Sequence, residues 1–345
     1  MATVTNAVWN LLAEIGKKAN VTELIINGPQ SVFVEHQGEL VQLNVQFPSA
    51  DLDAFASEVA QQNRKAFDAA HPLFDGTLPD GSRVNMVARE YLEQGPAITI
   101  RRHSRTIRNF EGSPGIFGLD PRWTRLLRKM VGARVNIIVA GGTGTGKTTF
   151  INLLLHELNP QERVVCIEDT RELHFALPNV VRMETRGLST TVGAVVTTRD
   201  MVRNALRMRP DRVIIGEVRG GEVFDLLQAM NTGHDGSMAS VHSSSAGETL
   251  SRLENLFLLA GHDVPVRAIR QQIASAVNFV IHIKRNREGQ RVVAQVAELA
   301  GMEGDRILMQ DIGALKDGKL AFTGMVPKCL GKLVEGGLPA DFFNQ

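Results

Sequence analysis

Nine consecutive residues from Gly141 to Thr149 have the types and spacing of a phosphate-binding loop, Gly-Gly-Thr-Gly-Thr-Gly-Lys-Thr-Thr. Residues 134–140 before it are apolar and β-branched, which predicts a buried strand, and residues 148–158 after it have helical spacing. A glycine turn between such a strand and helix aims backbone N–H groups at one point, where the helix dipole favours anions. We interpret the stretch as an ATP site with contacts from Gly142, Thr143, Gly144, Thr145, Gly146, Lys147, Thr148 and Thr149.

Two side chains of this loop carry chemistry of their own. The Lys147 ammonium can reach the outer phosphates, and the Thr148 hydroxyl can ligate Mg²⁺. The alternative is a chance glycine-rich turn, and the flanking strand and helix argue against it.

Charged and imidazole side chains follow three later stretches that also read as buried strands, at 163–167, 211–215 and 237–241. Strands that alternate with helices predict an α/β fold with a doubly wound, mostly parallel sheet, whose ligands lie beyond the carboxyl ends of the strands. The residues at those ends are Glu168 and Asp169, Gly216 and Glu217, and His242. We therefore expect these side chains to gather near the phosphate loop.

Nucleotide hydrolysis needs a metal on the phosphates, an oriented water and positive charge for the transition state. Glu217 is our first choice for the residue that orients or activates water. Glu168 and Asp169 are expected to hold Mg²⁺ through waters, so the predicted metal residues are Thr148, Glu168, Asp169 and Glu217. Any of these carboxylates taken alone also fits a solvated charge at a strand end.

Two histidines lie near the last of these strands. His234 follows a predicted helix that ends at Gly233, and His242 ends a strand. We predict that the pair senses the γ-phosphate and transmits its loss to a neighbouring subunit. Each one taken alone also fits a structural or surface histidine.

Composition bounds the class of protein. A chain of 345 residues exceeds what one core usually serves, so two domains are expected. The 38 Lys and Arg residues nearly balance 37 Asp and Glu residues, so no nucleic-acid partner is expected. Cys166 and Cys329 form no C-x-x-C pattern, which argues against a disulfide framework and a zinc site.

Targeting signals are the next feature. The first 30 residues lack the basic start and apolar core of a signal peptide. No apolar run approaches the ~18 residues that a membrane-spanning helix needs. We expect a cytoplasmic protein that is at most peripheral to a membrane.

The N-terminal region has the pattern of a separate α+β domain over 1–103. A short amphipathic helix in 1–20 precedes two strands, and Ser49 is predicted to cap a helix over about 50–70. Further strands follow, up to Arg102. Residues 104–118 have the glycines, prolines and charges of a linker, and 119–345 form the domain with the phosphate loop.

Four motifs occur in a fixed order, within the ranges Gly141–Thr149, Ile167–Leu173, Arg209–Arg219 and Thr232–His242. They resemble the Walker A, Asp-box, Walker B and His-box motifs of the type II/type IV secretion ATPase superfamily. That superfamily has glycine where other P-loop proteins place a Mg²⁺-binding aspartate, and Gly216 agrees. Upstream, Val21–Gly28, Leu78–Asn85 and Gly95–Arg102 resemble the CpaF/TadA branch, which serves Tad (Flp) pilus assembly.

The resemblance implies a PAS-like N-terminal domain, a RecA-like P-loop domain and a homo-hexameric ring that hydrolyses Mg·ATP bound between the two domains. It implies phosphate contacts from Arg83, Arg101 and Arg102, and inter-subunit contacts from Arg207 and Arg209. The catalytic set is then Glu217, Glu168, Lys147, Arg101, His242 and His234. The implied partner is a pilus or secretion platform protein, with the ATPase peripheral on the inner membrane.

Other functions share this core. A type IV secretion or conjugation traffic ATPase, or a motor stimulated by nucleic acid, uses the same fold, and DNA-stimulated hydrolysis would favour the last of these. A non-hydrolysing nucleotide-binding scaffold is a further alternative, and the intact Lys147, Thr148 and Glu217 argue against it.

Overall fold

The computed structural model describes residues 6–18, 21–36, 39–102, 109–185 and 196–344. The chain divides into two compact units; the first contains the residues up to Thr106, and the second contains most of the chain from Ile107 onward. Among the helices of the described residues, none combines the length and apolar character needed to cross a bilayer.

The first unit is an α+β structure with one antiparallel sheet. Its elements are α1 (Ala7–Gly16), β1 (Val21–Asn27), β2 (Val32–His36), β3 (Glu39–Leu43), α2 (Ser49–Gln62), β4 (Leu73–Thr77), β5 (Arg83–Val87) and β6 (Ala97–Arg101). The strand order is β3-β2-β1-β6-β5-β4. Alternate residues of β1, Leu24 and Ile26, are fully buried in one core with Phe55 of α2. This is the α+β arrangement that the sequence predicts.

Helix α2 differs from the prediction at both ends. Ser49 is its first residue and not its cap, because the cap position is Pro48, which has no side chain able to accept a hydrogen bond. The helix ends at Gln62, well before residue 70. The Asn63 amide explains this end, since its Nδ2 donates to the carbonyls of Val59 and Thr77, both at 2.8 Å. A side chain that binds the last turn and a strand at once stops the helix.

The second unit contains a nine-stranded mixed sheet and its covering helices. The elements are α3 (Pro121–Gly132), β7 (Ile137–Gly141), α4 (Lys147–Leu155), β8 (Val164–Glu168), β9 (Val180–Glu184), α5 (Thr198–Ala205), β10 (Arg212–Ile215), α6 (Glu222–Asn231), β11 (Met238–His242), α7 (Ala246–Leu258), α8 (Val266–Ala276), β12 (Phe279–Arg285), β13 (Arg291–Glu303), β14 (Arg306–Lys316), β15 (Lys319–Phe322) and α9 (Leu330–Glu335). The strand order is β15-β14-β13-β12-β7-β11-β10-β8-β9. From β12 to β9 every pairing is parallel, and β13 to β15 are added antiparallel.

This sheet lies between two apolar cores, as a doubly wound fold requires. Ile137 and Val139 of β7 point into one core, while Ile138 and Ala140 point into the other. Because both faces are covered, β7 reads as a continuous apolar run in the sequence. The predicted mostly parallel sheet is confirmed, whereas the antiparallel extension β13–β15 was not anticipated.

The described part of the predicted linker packs on the second unit. Phe110 and Phe117 are only 5% and 4% exposed and belong to its core. The Phe117 ring meets the Phe150 ring of α4 edge to face, with 5.2 Å between centroids. Phe117 adopts φ +56°, between Gly115 and Gly118, which also have positive φ. This backbone turn directs an aromatic ring under the phosphate loop.

Candidate nucleotide site

The phosphate loop connects the buried strand β7 to helix α4. Gly144 and Gly146 have φ of +69° and +95°, a region that L side chains rarely adopt. A Cβ on Gly141 would lie 2.6 Å from the Ile283 carbonyl oxygen, so glycine is required there by close packing against β12. The first N–H groups of α4 lack intrahelical acceptors and face the loop. The result is a cradle of backbone N–H donors, which is the kind of site that binds phosphate at a helix N-terminus.

Lys147 lies over this cradle. Its Nζ donates to the carbonyl oxygens of Gly141 at 3.0 Å and Gly142 at 3.1 Å. The Thr145 hydroxyl also donates to the Gly142 carbonyl, at 2.9 Å. Thr148 and Thr149 follow in the first turn of α4, both half-buried, and Thr143 is exposed on the loop. The loop residues predicted from the sequence are therefore brought together in one turn, which is the candidate phosphate site.

Glu217 and Asp169 are held together at the carboxyl edge of the sheet by Arg219. The Arg219 Nη2 and Nε donate to Glu217 Oε2 at 2.6 and 3.1 Å. Its Nη1 lies 3.5 Å from Asp169 Oδ2, while the Thr185 hydroxyl donates to Asp169 Oδ1 at 2.9 Å. The bond to Glu217, as the largest cause, raises the pKa of Arg219. One arginine thus connects the ends of β8 and β10.

Glu168 has a different environment from its neighbours. It is 4% exposed, and its Oε1 accepts the backbone N–H groups of Glu172 and Leu173 at 2.7 and 2.8 Å. Burial raises the pKa of Glu168, although these N–H groups oppose the shift. A Cβ on Gly216 would lie 3.1 Å from Glu168 Cγ, which gives a packing reason for glycine at that position. This geometry indicates that Glu168 fixes the position of the loop after β8.

The oxygen donors at the carboxyl edge of the sheet fit Mg²⁺ only if water molecules and substrate phosphates complete its coordination. Among the described residues, no group of three or more His, Cys, Asp and Glu side chains converges to hold a metal. Mg²⁺ usually keeps several waters and binds one or two carboxylates plus substrate phosphates. The Thr148 hydroxyl and the partly exposed carboxylates of Asp169 and Glu217 suit such an ion, whereas one oxygen of Glu168 is taken by two N–H groups.

The two predicted histidines lie at opposite ends of β11. His242 ends the strand and is in register with Gly141 of the loop. It lines a cavity of about 610 Å³ together with Gly142 and residues of α7, among them Glu248 and Arg252. His234 precedes the strand, with Nδ1 3.3 Å from the Ala229 carbonyl at the end of α6. Since β11 rises ~3.3 Å per residue, the structure does not bring His234 to the loop of its own subunit.

The predicted arginines fall into three settings. Arg101 and Arg83 are register partners on β6 and β5, so their side chains share one face, and Arg101 Nε lies 3.8 Å from Glu23 Oε1. Arg102 instead donates to the carbonyl oxygens of Ile15, Gly16, Lys18 and Val21 at 2.8–3.1 Å. Its guanidinium caps the carboxyl end of α1, and the phosphate role predicted for Arg102 stays a prediction.

Arg207 and Arg209 form the third setting. Both are exposed and precede β10, at the amino edge of the parallel sheet. The phosphate loop lies at the opposite, carboxyl edge, so neither arginine reaches the loop of its own subunit. This position leaves open the inter-subunit role that the sequence predicts for them.

Three residues at the carboxyl edge of the sheet, where the phosphate loop lies, were not predicted as site residues. Arg219 was visible as part of the Gly216–Arg219 motif, but its bond to Glu217 depends on side-chain direction. Arg285 and Arg291 flank the loop from β12 and β13, and Arg291 Cδ would lie 3.0 Å from a Cβ on Gly146. Nothing in the sequence marked them, because these strands were not predicted.

Relatives match this chain in sequence over most of its length. The family model for the type II/IV secretion system protein matches residues 10–311. A putative conjugal transfer protein of Mycobacterium tuberculosis is 35% identical over 315 residues, which cover 86% of this chain and 88% of that protein. The type IV secretion system protein PtlH of Bordetella pertussis is 32% identical over 313 residues, covering 83% and 92%.

Solved structures with the same fold include ATPases. The Legionella pneumophila ATPase DotB superposes with a TM-score of 0.62 at 20% identity, covering 87% of this chain and 82% of that one. The pilus retraction motor PilT with bound ADP gives a TM-score of 0.60 at 21% identity, covering 82% and 80%. The family model and the relatives of more than 30% identity lead to one conclusion: the chain belongs to the type II/IV secretion system protein family.

Proposed function

We propose that the protein is a homo-hexameric motor that hydrolyses Mg·ATP to drive pilus assembly or protein secretion at the inner membrane. The observation that carries the proposal is that the Lys147 cradle follows β7 and Glu217 follows β10, two strands of the same sheet. Both groups therefore lie at the carboxyl edge of that sheet. A phosphate cradle without a strand-end carboxylate would fit binding alone.

In this mechanism the loop N–H groups and Lys147 bind the phosphate chain and neutralise its charge. Glu217 orients the attacking water. Thr148, Asp169 and Glu217 would hold Mg²⁺, which would supply charge neutralisation at the transferred phosphoryl group. Arg83 and Arg101, which belong to the N-terminal domain (residues 1–103), are assigned phosphate contacts. The linker (104–118) connects that domain to the ATPase domain (119–345).

Contacts between subunits complete the proposal. Arg207, Arg209 and His234 lie at the amino edge of the sheet, and we assign them to contacts with a neighbouring subunit of the ring. His242 is assigned to sensing the γ-phosphate. His242 is supported by its place beside Gly141 and its exposure to the cavity. Peripheral attachment to the inner membrane then comes through a platform protein of the pilus or secretion machine.

Two branches of the family compete for the cellular role. The motifs at 78–85 and 95–102 favour Tad (Flp) pilus assembly. The names of the relatives favour a conjugative or type IV secretion role, since they include conjugal transfer proteins. A strain that lacks this protein distinguishes the two: loss of surface pili supports the first role, and loss of plasmid or effector transfer with pilin export intact supports the second.

The biochemical proposal is tested by ATPase activity as a function of protein concentration, with mass measurement and with or without single-stranded DNA. We expect cooperative activation as the ring assembles and little response to DNA. Lys147→Ala is the control, and it should abolish turnover and strongly weaken nucleotide binding, because it removes the charge over the outer phosphates. Unchanged turnover in a folded Lys147→Ala protein would end the ATPase proposal.

A further inference from the structure

The hairpin between β12 and β13 extends beside the phosphate loop. Strand β12 runs parallel to β7 with Ile283 in register with Gly141, so Arg285 lies two residues beyond the end of β7. Arg285 is in turn the register partner of Arg291, which begins β13. The topology therefore places two arginines at the edge of the sheet where the loop begins.

Both arginines approach glycines of the loop. The Arg285 Nη2 lies 3.8 Å from the position that a Cβ of Gly144 would occupy. The Arg291 Cδ lies 3.0 Å from the corresponding position at Gly146. The stem of Arg291 thus covers the end of the loop, and the guanidinium of Arg285 lies at its apex.

The hairpin holds the Arg285 guanidinium in this place. Its Nη1 donates to the Gly289 carbonyl at 2.9 Å, and Gly289 has φ +77°. The Asn286 side-chain oxygen accepts the N–H groups of Glu288 and Gln290 at 3.1 and 2.8 Å, which closes the tip. One end of the guanidinium donates to the tip while Nη2 lies on the side of the loop, so part of the side-chain entropy is already lost before an anion binds.

We propose that Arg285 contacts the phosphate chain of the bound nucleotide, as a cation supplied by the same subunit as the loop. The proposal rests on the nucleotide site described above and adds a residue to it. Among the described residues, no carboxylate forms an ion pair with Arg285, so its charge is available to an anion in the cradle. A planar guanidinium is well suited to phosphate oxygens because it donates in a fork.

The test measures binding of ADP and of inorganic tripolyphosphate by calorimetry to the full chain. Arg285→Gln should weaken both ligands roughly 10- to 100-fold, the range for a lost hydrogen bond to a charged group. Arg285→Lys keeps a charge and should lose less. Arg287→Gln is the matched control, because this exposed arginine lies on the same hairpin tip, and it should bind both ligands like the wild type.

Three results would overturn the proposal. Equal affinity in Arg285→Gln and wild type removes the contact. Loss of ADP binding with tripolyphosphate unchanged assigns Arg285 to the base or ribose. An equal loss of affinity in Arg287→Gln would show that the overall charge of the hairpin matters and not a contact made by Arg285. Thermal unfolding of each variant checks folding, and Arg285→Lys replaces Arg285→Gln if the latter unfolds.

The outcome is separable from that of the proposed function. A wild-type protein that binds neither ADP nor ATP contradicts the proposed function itself. A wild-type protein that binds and hydrolyses ATP while Arg285→Gln is unaffected contradicts only the role of Arg285.

Discussion

Glu217 and Glu168 end neighbouring strands of the sheet, yet their carboxylates have opposite surroundings. Glu217 is 25% exposed and bound by Arg219, whose side chain is largely exposed. The Glu168 carboxylate is buried and fixed by two backbone N–H groups. A group that must orient water has to be accessible, so the geometry favours Glu217 for catalysis and Glu168 for positioning the loop after β8.

Glu217→Gln should therefore reduce ATP turnover by about 10³ while ATP binding is retained, because the amide keeps the shape but cannot polarise water. Steady-state turnover and ATP affinity are measured on the same preparation. Glu168→Gln is the comparison, with a smaller effect on turnover. If Glu168→Gln is the more damaging change, the two roles are reversed.

Glu168 also predicts a pH effect on stability. Burial raises its pKa in the folded protein above the ordinary 4.5, so the folded state holds the proton more tightly than the unfolded chain. The stability from this group is complete below 4.5 and is lost as pH rises through the folded pKa. The free energy of unfolding of wild type minus that of Glu168→Gln should fall with rising pH in this window and then level. Urea unfolding of both proteins across pH measures it; a pH-independent difference would contradict it.

At the residue scale, the sequence was sufficient to predict the part of the candidate site that depends on backbone conformation. The loop from Gly141 to Thr149 lies where the glycine spacing predicts it, because glycine positions dictate the turn. The role of Arg219 was not predictable, since it depends on where a long side chain points. The separation of His234 from His242 follows from the strand that lies between them, which the sequence does predict.

At the element scale, Arg101 and Arg102 are adjacent in sequence but serve different elements. Arg102→Ala should lower the stability of the first unit by roughly 1–3 kcal/mol, because the carbonyl oxygens at the end of α1 lose a charged donor. Arg101→Ala is the matched control and should leave stability near that of the wild type, since its 3.8 Å ion pair is exposed. Chemical unfolding of both variants decides; equal stability in the two would contradict the capping role.

The parallel strands of the second unit were predictable because burial on both faces produces continuous apolar runs. The antiparallel strands β13 and β14 mix buried and exposed residues without clean alternation, and register shifts interrupt their pairing. Such strands give only a weak hydrophobic pattern in the sequence, which is why they were not predicted. Helix α2 was overestimated because the bond from Asn63 to Thr77 is a tertiary contact.

At the scale of the whole molecule, composition predicted a linker where the structure has packed aromatic residues. Phe110 and Phe117 lie in the glycine-rich stretch before α3 but are buried in the core of the second unit. The glycines of this stretch predicted a linker, while here Gly115 and Gly118 permit the turn that buries Phe117. An isolated ATPase fragment that starts at Leu119 would lack both rings.

The last prediction compares two fragments, one from Ile107 and one from Leu119, both ending at Gln345. The longer fragment should be folded, and the shorter one much less stable, because a lost buried phenylalanine side chain costs about 3–5 kcal/mol. Thermal unfolding of both fragments measures this difference, and equal stability would show that the two rings contribute little to the core.

The longer fragment then isolates the catalytic role of the N-terminal unit. It should bind ATP but hydrolyse it about 10³–10⁵ times more slowly than the full chain, since an arginine supplied across domains or subunits has that value in other P-loop proteins. Arg101→Ala in the full chain should reproduce this loss with ATP affinity retained. The measurement is steady-state turnover of the three proteins at equal concentration, with affinity checked separately. If the longer fragment matches the full chain, the N-terminal unit is not a catalytic partner, and its exposed arginines serve partner binding instead.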